Sequence, residues 1–318
     1  MSEPTAAKSP VAIVGAGSIG VAFALVFARA GHPVKLTDPD ASRRKSVFPE
    51  VSARLAALAR HGLLEQDADS VLGRIATTDS LAKALEGAAL VQECAPEHLA
   101  IKRFLFAELD ALAAPETVLA SSSSALAAGA FAAGLPGSER CLVAHPGNPP
   151  YLIPVIELAP TAFTSTATLA VARELYAAAG LSPVVVHGEP EGFVFNRLQG
   201  AVLREAYALV RDGVASVEDI DTVVREGLGR RWCFMGPFET VDLNTRGGIE
   251  SHAAKMGPAY ARMGAERGQD DPWHPGLVAT VAAQRRALLP LDHWEDRVRW
   301  RDEELMKRLN HTAKEINE

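Results

Sequence analysis

The chain has 318 residues, of which 48% are hydrophobic and 22% are charged, which is the balance of a soluble globular protein and excludes a disordered or fibrous one. This length exceeds what a single core fills well, so two domains are expected. The net charge of −7 gives no broad basic surface, and nucleic acid and membrane are therefore not expected as partners. An odd number of cysteines in apolar surroundings, Cys94, Cys141 and Cys233, predicts reduced thiols in a cytoplasmic protein.

The chain begins with a pattern typical of a strand, a helix and a second strand. Val11–Val14 is a short apolar strand, Ser18–Arg29 is an apolar helix, and Pro33–Thr37 is the next strand. The uncharged stretch 11–28 resembles a secretory signal or a membrane span. Its three glycines argue against both, because they would weaken a hydrophobic helix and they lie where the strand passes into the helix.

Those glycines form a Gly-x-Gly-x-x-Gly motif directly after the first strand. Gly15 permits the tight turn, Gly17 lets a pyrophosphate approach the backbone, and Gly20 lets the helix pack closely on the strand. The start of the helix, with Ser18 and Ile19, offers backbone amides to the phosphates. The motif predicts a dinucleotide site, and the alternative is a glycine-rich turn that binds nothing.

Asp38 follows the second predicted strand, where a carboxylate is expected to bind the ribose 2′-hydroxyl of the dinucleotide. A carboxylate at this position repels the 2′-phosphate of NADP, so the predicted cofactor is NAD. Arg43 and Arg44 lie a few residues further on and keep NADP as an alternative.

Strands and helices continue to alternate up to about residue 188. Helices are predicted at 50–61, 99–112 and 165–179. Further strands are predicted at 74–77, 89–93, 118–120, 142–144, 155–158 and 183–186. The alternation predicts an α/β fold, with a Rossmann-type doubly wound, mostly parallel sheet in a domain of residues 1–188.

The remaining residues, 189–318, predict an all-α C-terminal domain. Helical periodicity occurs near 192–210, 216–226 and 273–288. Each such helix has an apolar stripe that must be covered, and the segment is short, so we expect a homodimer formed through this helical domain.

His145 follows a predicted strand, and the carboxyl ends of strands are where open α/β sheets bind ligands. Glu157 lies inside the apolar run Val155–Leu158, where a buried carboxylate is costly unless it has a partner. If the two strands are adjacent, Glu157 can orient the imidazole and stabilise its protonated form. The alternative is that Glu157 only accepts backbone hydrogen bonds.

Other polar residues stand at the same kind of position. Ser121–Ser124 follow an apolar strand and are either turn formers or donors to a substrate. Asn196 lies in an apolar context, and Arg231 lies in a glycine-rich turn, where a guanidinium can pair with a carboxylate or be merely solvated. No metal site is predicted, because the spacing of the remaining histidines with cysteines and carboxylates does not match a ligand set.

Together these segments resemble the 3-hydroxyacyl-CoA dehydrogenase superfamily, and within it the branch of L-gulonate 3-dehydrogenase and lambda-crystallin. The likeness runs essentially from end to end. It is carried by Ser121–Ser124, His145–Glu157, Gly192–Leu198, Gly229–Pro237 and Arg299–Met306.

The resemblance implies which residues form the site. The catalytic serine, histidine, glutamate and asparagine of the family fall on Ser124, His145, Glu157 and Asn196. Two further contacts to the cofactor fall on Glu97 and Lys102. The residues expected to bind the substrate are Ser124, Asn148, Asn196 and Arg231.

Arg231 bears on the substrate that the resemblance implies. Acyl-CoA members of the family generally lack an arginine at this position, whereas the gulonate-like and carnitine-like branches carry one, so a small hydroxy acid with a free carboxylate is expected. A basic cluster formed by Arg43, Arg44 and Lys45 could instead meet the 3′-phosphate of CoA. A 3-hydroxyacyl-CoA dehydrogenase, a carnitine-type dehydrogenase and a non-catalytic, crystallin-like NAD-binding protein therefore remain as alternatives.

Overall fold

The computed structural model describes residues 8–233, 236–244 and 248–267, and beyond them 276, 283, 287, 290–293, 296, 299–300, 303 and 306–307. The chain divides into two compact units. The first comprises Met1–Arg197 and Arg299–Glu318, and the second comprises Leu198–Val298.

The first unit is built on one eight-stranded sheet with the strand order β3-β2-β1-β4-β5-β6-β7-β8. Neighbouring strands are parallel except β6 and β7, which are antiparallel. The strands are β1 Val11–Val14, β2 Val34–Thr37, β3 Ile75–Thr78, β4 Leu90–Glu93, β5 Val118–Ser121, β6 Cys141–Pro146, β7 Val155–Pro160 and β8 Ser182–Val185. The strand order reverses between β1 and β4, and open α/β sheets bind ligands in the crevice at such a point. The predicted Rossmann-type, mostly parallel sheet is confirmed.

Helices connect these strands and cover both faces of the sheet. They are α1 Ser18–Arg29, α2 Ala41–Arg60, α3 Ala68–Leu72, α4 Leu81–Leu85, α5 Leu99–Leu112, α6 Gly129–Ala132 and α7 Thr166–Ala178. The prediction of a helix over 50–61 placed its start too late. The helix begins at Ala41 because the Asp40 side chain accepts a hydrogen bond from the Ser42 amide and caps it, and it continues through Pro49.

Alternate residues of the central strands enter two separate hydrophobic cores. Val11 and Ile13 of β1 pack with α1, α2 and α7 on one face. Ala12 and Val14 pack with Phe106 of α5 and with α6 on the other face. Strands covered on both faces read as continuous apolar runs, which is why they were recognisable in the sequence.

The elements described in the second unit are all helical, as predicted. Helix α8 Phe195–Arg211 begins just before the division between the units, and the others are α9 Val217–Val223, α10 Gly229–Trp232, α11 Pro237–Asn244 and α12 Gly248–Arg267. One π-helical turn, Val224–Leu228, joins α9 to α10. The helix predicted at 273–288 lies largely outside the described residues. None of the helices in the described part of the chain is both long and apolar enough to cross a lipid bilayer.

Candidate active site at the carboxyl edge of the sheet

The glycine motif forms a close-packed turn between β1 and α1. Gly15 has φ +107°, and a Cβ there would lie 2.8 Å from the backbone carbonyl of Cys94. A Cβ on Gly20 would lie 1.8 Å from the carbonyl oxygen of Gly15. Gly17 is the N-terminal cap of α1, and no side chain caps the first amides of this helix. These amides are therefore available to an anion, as a dinucleotide pyrophosphate requires.

Asp38 joins the end of β2 to this turn. One oxygen of its carboxylate accepts a hydrogen bond of 2.7 Å from the amide of Ala16, and the other accepts one of 2.9 Å from the amide of Asp40. Each carboxylate oxygen can accept a further bond, so Asp38 can still bind a ribose hydroxyl.

A cavity of about 740 Å³ opens beside Asp38 and the glycine turn. Its size lies within the range of roughly 300–1,000 Å³ found for small-molecule sites. Besides Gly15, Gly17 and Asp38, its lining includes Arg43, Ala95, Pro96, Ile101 and Phe104. An apolar wall next to a carboxylate and a turn with exposed amides fits the adenosine half of a dinucleotide.

Two of the three basic residues after Asp38 lie next to the predicted cofactor site. Arg44 donates hydrogen bonds of 2.6 Å and 3.1 Å to the backbone oxygens of Asp38 and Pro39. Arg43 lines the cavity next to the glycine turn. Two of the three side chains considered for a CoA phosphate therefore lie at the cofactor side of β2.

His145 and Glu157 lie directly opposite each other in the antiparallel ladder of β6 and β7. His145 Nδ1 donates a hydrogen bond of 2.8 Å to Glu157 Oε2, and the two residues are only 7% and 2% exposed. A carboxylate can only accept, so Nδ1 carries the proton and Nε2 of the neutral ring has a lone pair. The arrangement can orient the imidazole and stabilise its charged form.

The second oxygen of Glu157 binds the backbone. The amides of Val194 and Phe195 each donate a hydrogen bond of 2.8 Å to Glu157 Oε1. Burial works to raise the pKa of Glu157, but the hydrogen bonds from His145 and from these two amides outweigh it and hold the pKa below its usual value. Glu157 therefore remains ionised beside the imidazole.

A loop of serines follows β5, next to β6 in the sheet. Residues Ser121–Leu126, called the serine loop here, wrap around the carboxylate of Glu97. This carboxylate accepts hydrogen bonds from the Ser123 and Ser124 hydroxyls and from the amides of Ser124, Ala125 and Leu126. Partial burial opposes ionisation, but these bonds lower the pKa of Glu97 to about 2. Glu97 thus fixes the conformation that presents Ser124.

Asn196 lies against the same loop. Its side-chain amide nitrogen donates a hydrogen bond of 3.1 Å to the backbone oxygen of Ser124. Within the first unit, two of the four predicted catalytic residues are therefore paired through the β6–β7 ladder, and the other two meet at the serine loop.

Comparison with known proteins identifies the family. The family model of the 3-hydroxyacyl-CoA dehydrogenase NAD-binding domain matches residues 10–189, and the model of the C-terminal domain of the same family matches residues 192–286. The chain belongs to the 3-hydroxyacyl-CoA dehydrogenase family. It is accordingly an NAD-dependent oxidoreductase that acts on hydroxyl groups, and the predicted cofactor is confirmed.

Proteins similar to this dehydrogenase differ in the function that their names indicate. Lambda-crystallin of Oryctolagus cuniculus is 38% identical over 97% of this chain and 97% of its own length. L-carnitine dehydrogenase of Streptomyces coelicolor is 39% identical over 78% of both chains. The solved structure of 5-formyl-3-hydroxy-2-methylpyridine 4-carboxylic acid 5-dehydrogenase has a TM-score of 0.79, 28% identity, and covers 95% of this chain and 98% of its own. The predicted likeness to the lambda-crystallin branch is confirmed.

Asn148 and Arg231 are the two remaining residues that were predicted to bind the substrate of the dehydrogenase. Asn148 is exposed, three residues beyond His145. Arg231 lies on α10 in the second compact unit. Their contacts with a substrate stay predictions.

Lys102, a predicted cofactor contact, is buried next to a carboxylate. It is 1% exposed, and its ammonium group lies 2.8 Å from Glu93 Oε2. Its contact with the cofactor stays a prediction. Sequence reasoning did not single out Glu93, although a carboxylate at the end of the predicted strand 89–93 was a signal that a polar partner must be near. The backbone donors to Glu157 were also missed, because an amide carries no side-chain signature.

Proposed function

We propose that this dehydrogenase oxidises the 3-hydroxyl of a small, L-gulonate-like hydroxy acid to give a 3-keto acid, with His145 as the general base. The observation that carries the proposal is the buried pair of His145 and Glu157 at the edge of the sheet where the glycine turn also lies. A general base needs a defined tautomer and a stabilised protonated form, and Glu157 supplies both.

The other residues of the site bind and orient the substrate. NAD, held by the glycine turn and Asp38, supplies the acceptor for the hydride that leaves the carbinol carbon. Ser124 and Asn196 hold the hydroxyl group near His145, and Nε2 of His145 accepts the hydroxyl proton. The ionised Glu157 then balances the imidazolium charge.

We assign the substrate carboxylate to Arg231, because a guanidinium binds a carboxylate through two hydrogen bonds. The similarity to an L-carnitine dehydrogenase supports a hydroxy acid without CoA as well.

A substrate panel tests this assignment. NADH absorbance is followed with L-gulonate, L-carnitine, 3-hydroxybutyrate and a 3-hydroxyacyl-CoA at matched concentrations. We expect a higher kcat/KM with a free acid than with the thioester, and the highest value with L-gulonate. Oxidation of the thioester alone would contradict it, and NADH binding without turnover of any compound would favour the non-catalytic, crystallin-like alternative.

Two neighbouring arginines provide a matched test of carboxylate binding. Arg231→Leu is expected to raise KM for the free acid by about tenfold to a few hundredfold, since it removes a charge-assisted pair. Arg230→Leu is the control, because Arg230 pairs with Glu226 on the exposed surface. Equal effects of the two substitutions would refute the role of Arg231.

We also propose a homodimer formed through the helical part of the chain. Three apolar residues in the first half of α8, Leu198, Val202 and Leu203, are 58%, 40% and 37% exposed in the single chain. A second copy that covers this stripe would remove the apolar surface from water. Light scattering should give the mass of a dimer for the wild type and a lower mass for Val202→Asp. The same mass for both proteins would contradict the proposal.

A cytoplasmic location is proposed from the thiols. Cys94, Cys141 and Cys233 are free. Burial raises the pKa of Cys94 and of Cys141 to about 12, so these two thiols are unreactive. Free thiols suit a reducing compartment. Cell fractionation with immunodetection of the protein is the test, and recovery outside the cytoplasmic fraction would contradict the proposal.

A further inference from the structure

A buried cluster of three polar side chains lies beneath the serine loop. Glu93 and Ser121 are the last residues of β4 and β5, and they lie opposite each other in the parallel ladder. Lys102 reaches this point from the first half of α5. The three residues are 0%, 0% and 1% exposed, in the order Glu93, Ser121 and Lys102.

Every donor of the Lys102 ammonium group has a partner within this cluster. Nζ lies 3.0 Å and 2.8 Å from the two oxygens of Glu93, and 3.2 Å from the hydroxyl oxygen of Ser121. An ammonium group has three N–H bonds, so these contacts use all of them. The Ser121 hydroxyl in turn donates a hydrogen bond of 2.6 Å to Glu93. Such complete satisfaction is what a buried ion pair needs.

The cluster also binds the backbone on both sides of Glu97 and the serine loop. The amide of Ala95, two residues before Glu97, donates a hydrogen bond of 2.7 Å to Glu93. The amide of Ser123, next to Ser124, donates one of 3.2 Å to the Ser121 hydroxyl. The segment that carries Glu97 and the loop that carries Ser124 are therefore anchored to the same buried carboxylate.

We propose that Lys102, Glu93 and Ser121 form a positioning cluster that sets the serine loop, so that Lys102 acts on Ser124 through this loop. The proposal adds a second role to the cofactor contact that family resemblance implies for Lys102. It rests on the proposed function only in that Ser124 is taken to hold the substrate hydroxyl.

The decisive variant is Lys102→Met, which keeps the length of the side chain and removes the charge. Its matched control is Arg140→Met, because Arg140 forms another buried ion pair of the same unit, 2.9 Å from Asp110, at the amino end of β6. Both substitutions remove one buried cation and are expected to lower the melting temperature. Only Lys102→Met should lower kcat/KM for the hydroxy acid, by about 10- to 100-fold, as expected for a misplaced catalytic group.

Loop protection separates positioning of the loop from a loss of cofactor contact. With Lys102→Met, hydrogen exchange in residues 123–126 should become faster in the protein without NADH as well as with it, because the loop loses its anchor whether or not the cofactor is bound. Unchanged exchange in the loop of the protein without NADH would overturn the proposal. This readout is independent of turnover, so it remains informative if the proposed substrate class is wrong.

Two more variants keep the proposal testable if Lys102→Met does not fold. The double variant Glu93→Gln with Lys102→Met removes the unpaired buried charge and should recover part of the stability, but not the position of the loop. Ser121→Ala leaves the ion pair intact and removes the acceptor of the Ser123 amide. It should lower kcat/KM by about three- to tenfold with NADH binding unchanged; wild-type kcat/KM and loop exchange in Ser121→Ala would refute the role of the cluster.

Discussion

Replacing Glu157 by glutamine removes the negative charge next to the base, His145, and keeps the size and shape of the side chain at position 157. The amides of Val194 and Phe195 both donate to the same oxygen of Glu157, so the acceptor atom of the new amide must stay on that side. Its NH2 group then faces His145, and Nδ1 of the imidazole must become an acceptor. The proton moves to Nε2, which is the atom that has to accept the substrate proton.

The expected loss follows from these contacts. A hydrogen bond to a charged group is worth about 1.5–3 kcal/mol, which corresponds to roughly 10- to 150-fold in rate. The wrong tautomer adds at least about another tenfold, since the competent form must be regained before each turnover. Glu157→Gln should therefore lower kcat by about 10²- to 10⁴-fold.

Steady-state NADH formation with the best substrate of the panel measures this loss, and NADH fluorescence checks that cofactor binding is retained. Glu189→Gln is the control, since the Glu189 carboxylate binds the Gly129 amide instead of a histidine. A Glu157→Gln enzyme within threefold of wild-type kcat would show that the pair is not the catalytic base.

Three further outcomes are expected. His145→Gln should reduce kcat by about 10²- to 10⁴-fold with NADH binding retained, and unchanged turnover would remove the mechanism. Gly20→Ala should lower both the melting temperature and NADH affinity, because its Cβ would lie 1.8 Å from the Gly15 oxygen; Gly17→Ala, whose Cβ meets no atom within 4 Å, should weaken NADH binding alone. Glu97 has its pKa lowered to about 2 from 4.5, so its contribution to stability is complete above pH 4.5 and is lost as the pH falls towards 2. Urea unfolding of wild type and Glu97→Gln should thus differ more at pH 7 than at pH 3.

The sequence was sufficient for the central strands of the sheet because they are buried on both faces. Runs such as Val11–Val14 and Val118–Ala120 are short, apolar and followed by turn residues, so no tertiary information was needed to find them. The start of α2 was missed because Pro49, next to the helix predicted at 50–61, is typical of a helix N-terminus. The cap that decides the boundary is a single hydrogen bond from the Ser42 amide to Asp40.

The site was only partly accessible to the same reasoning. For Glu157, the sequence left open a choice between pairing with His145 and binding the backbone, and in the structure one oxygen does each. The cluster of Glu93, Ser121 and Lys102 was out of reach, because it depends on which strands are neighbours and in which register. No tight turn joins the parallel strands β4 and β5, so the local sequence did not fix the register that places Glu93 opposite Ser121.

In the hairpin of β6 and β7, the alignment of His145 with Glu157 does not depend on the connection between the two strands. Since strand pairing aligns His145 with Glu157, the eight residues between the strands, 147–154, do not determine how the two side chains meet. Insertions or replacements in that connection can change the surroundings of Asn148, a predicted substrate contact, while the pair of His145 and Glu157 keeps its alignment. Diversification of substrate preference among such enzymes can therefore begin there, at little risk to the chemistry.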